Sequence, residues 1–536
     1  MHDTDFTPNP DHTTTPGVGT GIEPGAEPRR VDVLVVGAGP TGLMLAGDLA
    51  ERGVTCTVVE RRAATSQLTR AFVVHARTLE QLDARGVADE LIRTGTLLDT
   101  FDLFGLVDIS FKSLPGRFPN LLVTPQYHVE SVLRARAEKA GAQILRGLNV
   151  TDVAQDAQGV TVRAVSTETG TETDPDPELA PAPDVVFRAR YVVGTDGVES
   201  TVRSLIGVPY PGREVLRSIM LADVKLTDPP ADTLSVSAGP AGFSFIAPFG
   251  DGYHRVFAWD RRRDADAGQP VDLEEVRRVM LATLGTDYGM TDPRWLSRFR
   301  SDERQAPTYR VGRVLLAGDA AHCHSPAGGQ GMNTGVQDAA NLGWKLAATL
   351  HGTAPDGLLD TYQAERHPIG ALVLRSSGAI IRLGTAKAFL GRVSRSTVAN
   401  LALRVPPIAH KAVGVVTGMG LEYGHAHGEH RLVGKRADDL PLLERAEAGG
   451  ARRVYEALRG GRYVLLRRNA ETMVDSGWDL DGDSALGALV DTALCPQAPA
   501  ELVLVRPDAY VGWASGEDGP AAYRSLAAHL GVAAGR

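Results

Sequence analysis

The sequence predicts an α/β fold organised on a parallel sheet, and three observations carry the prediction. The first is Val31 to Gly42, VDVLVVGAGPTG, where a buried strand runs directly into a glycine turn and an apolar helix. The second is Arg313 to Asp319, another buried strand, which passes through the glycine-rich loop Ala320 to Met332 into a long helical pattern, Asn333 to Leu350. The third is a change of character between about residues 208 and 300, where short strand patterns separated by turn signals precede one helix.

In the first stretch Gly37, Gly39 and Gly42 have the G-x-G-x-x-G spacing of a dinucleotide turn. Gly37 is expected to allow the tight turn, Gly39 to admit a pyrophosphate against bare backbone, and Gly42 to let helix and strand pack closely. The phosphates would sit on the free N–H groups of the helix Leu43 to Arg52, where the helix dipole favours an anion. A second strand, Thr55 to Val59, ends at Glu60, about 20 positions on, where an acid holds a ribose hydroxyl. The similar string GVGTG at Gly17 to Gly21 has no strand before it and reads as tail.

Bulk properties limit the function classes. At 536 residues the chain holds two or three domains, and 43% hydrophobic with 23% charged residues is ordinary for a globular protein. A net charge of -9 argues against nucleic-acid and anionic-membrane partners. Cys56, Cys323 and Cys495 are too far apart for a metal knuckle or a disulfide framework, and they suit a reducing, cytoplasmic setting. No run has the length of a transmembrane helix, and residues 1–30, rich in Asp, Thr, Pro and Gly, read as a disordered extension.

Beyond Glu60, Arg61 and a polar loop precede an expected amphipathic helix, Ala76 to Thr94, with Arg70 and Arg77 at its entrance, either reaching a cofactor's diphosphate or ribityl chain or simply exposed. Phe101 to Val123 reads as strands bordering a pocket, and Gln126 precedes a helix, Val129 to Ala140. Strand patterns at Ala142 to Arg146 and Val160 to Val165 lead to an acidic, proline-rich loop, Glu168 to Asp184. The next strand ends in Gly194-Thr195-Asp196-Gly197, where Asp196 can cap the following helix. Strands at Ser218 to Lys225, Thr233 to Ala238, Phe243 to Phe249 and His254 to Trp259, with a helix at Leu273 to Leu284, form a separate lobe. Its aromatic residues Phe243, Phe245, Phe249, Phe257 and Trp259 suit a flat hydrophobic molecule or an ordinary sheet core. Asp319 at a strand end can accept a ribitol hydroxyl, and the helix N-terminus after the second glycine loop favours a ring that becomes anionic on reduction. His322 and His324 lack a third ligand nearby, so no metal is expected.

The motifs GAGPTG at 37–42, GTDG at 194–197, LLAGDAAH at 315–322, PAGGQGMNTG at 326–335 and YQAERHP at 362–368 together resemble the group A flavoprotein monooxygenases related to para-hydroxybenzoate hydroxylase. More narrowly the chain is similar to the bacterial aromatic polyketide hydroxylases. Glu199 departs from the basic residue usual in the GTDG motif of that family. The resemblance implies a Rossmann-like FAD-binding domain of para-hydroxybenzoate hydroxylase type in two parts, residues 31–207 and 301–430. It also implies a sheet-plus-helix substrate domain at 208–300 and a thioredoxin-like domain at 431–536, which with Cys495 as its one cysteine has no C-x-x-C. Helical segments between Ala371 and Gly420 would cover the substrate side or form a homodimer contact.

The resemblance further implies that NADPH reduces FAD, that O2 forms a flavin C4a-hydroperoxide, and that one oxygen passes to an electron-rich phenolic ring. Cofactor-binding candidates are Gly37, Ala38, Gly39, Pro40, Thr41, Gly42, Glu60, Arg61, Arg70, Gln126, Asp196, Asp319, Gly331, Met332 and Asn333. Phe104, Phe245, Phe257 and Pro326 are the substrate-facing candidates, and Pro326, Gly329 and Gly331 would act on the reaction through backbone dipoles. His75, His128 and His254 are candidates for a base by type alone. Two alternatives stay open: Baeyer–Villiger or antibiotic-inactivating oxidation on the same fold, and a flavin-binding protein without oxygenase turnover.

Overall fold

The computed structural model describes residues 27–66, 71–103, 107–167, 184–231, 233–238, 241–263, 265–266, 269–326, 328–384, 406–443, 450–469 and 486–532. Helices within them are α1 (Pro40–Ala50), α2 (Ala76–Asp83), α3 (Ala88–Ile92), α4 (Gln126–Lys139), α5 (Thr201–Leu205), α6 (Leu273–Leu284), α7 (Gln330–His351), α8 (Thr361–Gly384), α9 (Pro406–Thr417), α10 (Val454–Ala457) and α11 (Pro520–His529). Residues 1–26, the loop 168–183, Arg70 and Phe104 lie outside the described residues, and the last two residues of the expected disordered extension, Arg29 and Arg30, instead begin the first strand.

The apolar run that opens the chain becomes the strand Arg29–Val36, whose last four residues are fully covered. It runs parallel to Cys56–Glu60 on one side and Val185–Gly194 on the other, and these in turn pair in parallel with Gln143–Arg146 and Val314–Leu316. Burial on both faces explains why these strands read as continuous Val/Leu runs rather than alternating ones. Helix α1 packs against α7 and α4. The expected single helix from Ala76 to Thr94 is instead two, α2 and α3, because Gly86 turns left-handed at φ 73° between them.

The second lobe is a six-stranded antiparallel sheet in the order Ser235–Ala238, Gly242–Pro248, His254–Asp260, Gly212–Leu226, Met290–Gln305, His322–Cys323. Its two faces follow the two-residue period of a strand. Met220, Ala222, Val224, Ile246, Val256 and Ala258 face α6, whereas Ile219, Leu221, Phe243, Phe245, Phe257 and Trp259 form a second apolar cluster with Phe299 and Ile381 of α8. The last strand, His322–Cys323, follows directly on the Gly318–Asp319 turn, so this sheet is anchored at the dinucleotide-binding end of the first.

Toward the C-terminus a smaller mixed sheet has the order Val490–Leu494, Tyr463–Arg467, Leu502–Val505, Val511–Ser515, flanked by α11. It is joined to the rest by buried charge. Arg77 is fully buried, pairs with Glu80 at 2.9 Å, and donates to the Tyr455 hydroxyl and to the carbonyls of Asp508 and Ala509. An exposed Arg77 near a diphosphate is therefore corrected: the side chain points at the C-terminal sheet. Arg506 makes a two-pronged pair with Glu365 of α8 at 2.7 and 2.8 Å.

Candidate active site

Three glycines of the first turn differ in what surrounds them. A Cβ on Gly37, which has φ 106°, would meet the Thr195 carbonyl oxygen at 2.6 Å, and one on Gly42 would stand 2.0 Å from the Gly37 oxygen. Those positions are glycine because the protein closes on itself there. A Cβ on Gly39 meets nothing within 4 Å, so its backbone is bare toward open space, as contact with a pyrophosphate requires. Helix α1 begins immediately after it with Pro40 in its first turn and no side-chain cap, so ligand oxygens can take the free N–H groups of Thr41 and Gly42.

Glu60 stands beside this turn. Its Oε2 accepts from the Ala38 amide at 2.9 Å, and its Oε1 accepts from the Arg62 amide and side chain, each at 3.0 Å. A carboxylate has about four acceptor sites, so these three bonds leave one for a ribose hydroxyl. Burial alone would raise this carboxyl, but the donated hydrogen bonds and the Arg62 charge bring it below the ordinary range, which keeps it an ionised acceptor. Arg61 next to it is exposed, and its carbonyl accepts from Thr167. Gln126 begins α4 and clasps Ala71, accepting from its amide at 3.2 Å.

Two candidate ligands are otherwise engaged. The Asp196 carboxylate accepts from the Val202 amide at 3.0 Å and from the Ser200 hydroxyl, so it braces the start of α5, whose N-cap is Ser200, and burial raises it. The Asn333 side chain holds the loop: it donates to the carbonyls of Val73 and Gly329 at 2.9 and 2.8 Å and accepts from the His75 amide. Met332 packs half-buried on the main core.

The second glycine loop converges on the first turn. Gly318 (φ 61°) and Gly335 of α7 both lie against Thr41, to whose hydroxyl oxygen their Cβ positions would come within 2.7 and 2.3 Å. Helix α7 opens at Gly329, left-handed at φ 63°, without a side-chain cap, and the Gly329 amide donates to the Pro326 carbonyl at 3.0 Å. A Cβ on Gly331 would approach the Asp319 carboxylate at 3.9 Å and the His324 ring at 3.5 Å, which brings the exposed Asp319 to the α7 N-terminus. Val73 lies 3.3 Å from the Cβ position of Gly329, and His75 meets the Gly328 carbonyl at 2.9 Å through Nε2. Burial pushes His75 down to about 4, so at neutral pH its ring is an uncharged strut for the loop. His128 packs tilted against Tyr127 at 4.4 Å, and burial lowers both it and His254.

Sequence reasoning missed Phe72. It precedes Val73, and its ring sits 5.0 Å from Phe245 and 5.9 Å from Phe257, so one short segment touches both the glycine loop and the aromatic face of the large sheet. It also missed Arg203, which donates to the Ala320 carbonyl at 3.0 Å and stacks on Tyr210 at 3.7 Å. Its place just after GTDG was the available signal. Among the described residues no group of three His, Cys, Asp or Glu can hold a metal, and no helix is long and apolar enough to cross a membrane.

Residues 30–377 match the family described as FAD binding domain, and residues 430–536 match that described as aromatic-ring hydroxylase, C-terminal. A 12-dehydrotetracycline 5-monooxygenase/anhydrotetracycline 6-monooxygenase of Streptomyces rimosus is 39% identical over 90% of this chain and 95% of its own. A rifampicin monooxygenase of Streptomyces venezuelae is 37% identical over 94% of this chain and 99% of its own. The solved structure of an anhydrotetracycline hydroxylase from Streptomyces rimosus superposes with a TM-score of 0.79 at 36% identity, covering 94% of this chain and 98% of that one.

Proposed function

This chain belongs to the FAD-dependent aromatic monooxygenases, and we propose that it hydroxylates a polycyclic phenol of polyketide type, with NADPH as the reductant. FAD supplies the redox chemistry when bound, accepting electrons from the reductant and activating O2 for transfer. The chain's own residues bind, orient and exclude water.

Gly39 and the open end of α1 would hold the pyrophosphate, Glu60 the adenosine ribose and Asp319 the ribityl chain. The amides at the start of α7 stabilise negative charge on the ring. The observation that carries the substrate reading is the continuity of Phe72 and Val73. Val73 lies against the loop at Gly329, and Phe72 packs tilted against Phe245, at 5.0 Å, and Phe257 of the aromatic face. A flat ring system held on that face would be near the glycine loop expected to bear the flavin ring, and the apolar side chains there would help keep out the water that diverts oxygen to H2O2. Polycyclic substrates also appear in the names of relatives that cover nearly all of this chain.

The test is product mass after incubating FAD-loaded protein with NADPH, O2 and anhydrotetracycline, in a panel with anthracyclinones, angucyclinones and rifampicin. The expected product has gained one oxygen with its rings intact. A lactone or opened ring would instead assign Baeyer–Villiger chemistry, and NADPH consumption with H2O2 alone across the panel would remove the polycyclic assignment.

A further inference from the structure

Asp338, in the third turn of α7, is fully buried and is bonded from three separate elements. Its Oδ2 accepts from the Gly318 amide at 3.0 Å and from Nε2 of His322 at 2.6 Å, while its Oδ1 accepts from Nε of Arg366 at 2.7 Å. Arg366, in the ERHP stretch of α8, is also fully buried. Its remaining nitrogens reach the Thr334 carbonyl at 3.2 Å and the Tyr423 hydroxyl at 3.4 Å. Tyr423 stacks on Tyr510 at 4.1 Å, and the Tyr510 ring lies under Arg77. A continuous buried path therefore runs from the C-terminal sheet to the Gly318–Asp319 turn.

We propose that Asp338 and Arg366 are positioning residues for bound FAD: they touch no cofactor, but they fix the turn that presents Asp319 and, through Thr334, the first turn of α7. The turn needs an outside hold. Gly318 is left-handed, Thr41 packs on it, and Tyr210 and Arg203 donate to the carbonyls of Asp319 and Ala320, while the Asp338 carboxylate takes the Gly318 amide itself. Arg366 supplies the charge that keeps Asp338 an anion: burial opposes ionisation, but His322 and Arg366 together bring the carboxyl down to about 2. Removing the guanidinium leaves a buried carboxylate short of its cation, which favours its protonation or a shift of α7 away from α8.

The inference rests on FAD being the cofactor, and wild-type apoprotein titrated with FAD is the control for that premise. Arg366→Met and Asp338→Asn apoproteins are then titrated by quenching of flavin fluorescence, and their bound flavin is compared by visible spectrum and midpoint potential, with folding followed by circular dichroism. Each variant is expected to bind FAD at least tenfold more weakly than wild type and to shift the flavin band. Arg366→Lys should recover part of the affinity, because an ammonium reaches Asp338 but cannot also reach Thr334 and Tyr423. If wild type binds FAD and either folded substitution binds it with wild-type affinity and spectrum, the positioning role is wrong and the cluster only holds helices together. Asp338→Asn is nearly isosteric but has one acceptor oxygen where the carboxylate has two, so it cannot accept from Arg366 on one side and from Gly318 and His322 on the other; it tests the idea even if the methionine variant fails to fold.

Discussion

At the scale of single residues, the three glycines separate what the fold needs from what the ligand needs. Gly42→Ala places a methyl 2.0 Å from the Gly37 oxygen, so the turn must move, and the loss is expected to be about 1–3 kcal/mol of stability. Gly39→Ala meets no protein atom, and its φ of -80° suits alanine, so apoprotein stability should stay within about 0.5 kcal/mol of wild type. Its FAD affinity should nevertheless fall at least tenfold. Thermal unfolding of the apoproteins beside FAD titration checks both. If Gly39→Ala leaves FAD affinity intact, the pyrophosphate does not lie there. These roles were legible because spacing along one strand, turn and helix determines them. Arg77 was not legible, since what buries it is a hydroxyl at 455 and two carbonyls at 508 and 509, hundreds of residues away. Asp196 was readable as a residue at the start of a helix, and its bond from the Val202 amide beside the N-cap Ser200 bears that out.

At the scale of elements, strands that alternate apolar and polar residues were readable and those whose charges are paired inside the protein were not. Met290–Gln305 carries Arg298, Glu303 and Arg304, so its pattern resembles a solvated loop. In the fold Arg298 pairs with Glu275 of α6 and Glu303 with Arg213, and the segment becomes a long partner of Gly212–Leu226. The short strand Val73–Val74 was equally silent, being two residues long, yet it joins the glycine loop to the aromatic face. Phe72→Ala tests that junction. The residue is only half-buried, so the stability loss should be roughly 1–2 kcal/mol, below the 3–5 typical of a fully covered Phe. The larger effect is expected on coupling: KM for the aromatic substrate rises several-fold and more H2O2 forms per NADPH oxidised. An unchanged ratio of H2O2 to NADPH would place the substrate away from this face.

At the scale of the whole molecule, buried ionisable groups set an acid limit on the fold. Burial pushes His75 down to about 4 and, with help from neighbouring His322, pushes His324 down to about 3 against smaller opposing effects of Asp338 and the Ser325 backbone. In the unfolded chain both return to about 6.5. Between those values the unfolded state binds more protons, so the stabilisation is complete above pH 6.5 and is lost as pH falls through the folded values. Each histidine then removes about 1.4 kcal/mol per pH unit below 6.5, so the two together withdraw about 4 kcal/mol between pH 7 and pH 5, while the buried carboxyls Glu80 and Glu130, raised by burial, act in the opposite direction. The carboxylates of Asp338, held low by His322 and Arg366, and of Glu365 and Asp48, held low by arginine and lysine neighbours, all against the cost of burial, stay ionised across that window and lose their contribution only below about pH 4. Urea unfolding of the FAD-free protein should therefore show a midpoint that falls steadily from pH 6.5 downward. His324→Phe, which cannot take up a proton in the unfolded chain, should remove about half of that slope while leaving the carboxylate-dependent loss below pH 4 in place. A wild-type midpoint that stays level between pH 7 and 5 would mean that the two rings titrate normally, and hence that water reaches the loop they support.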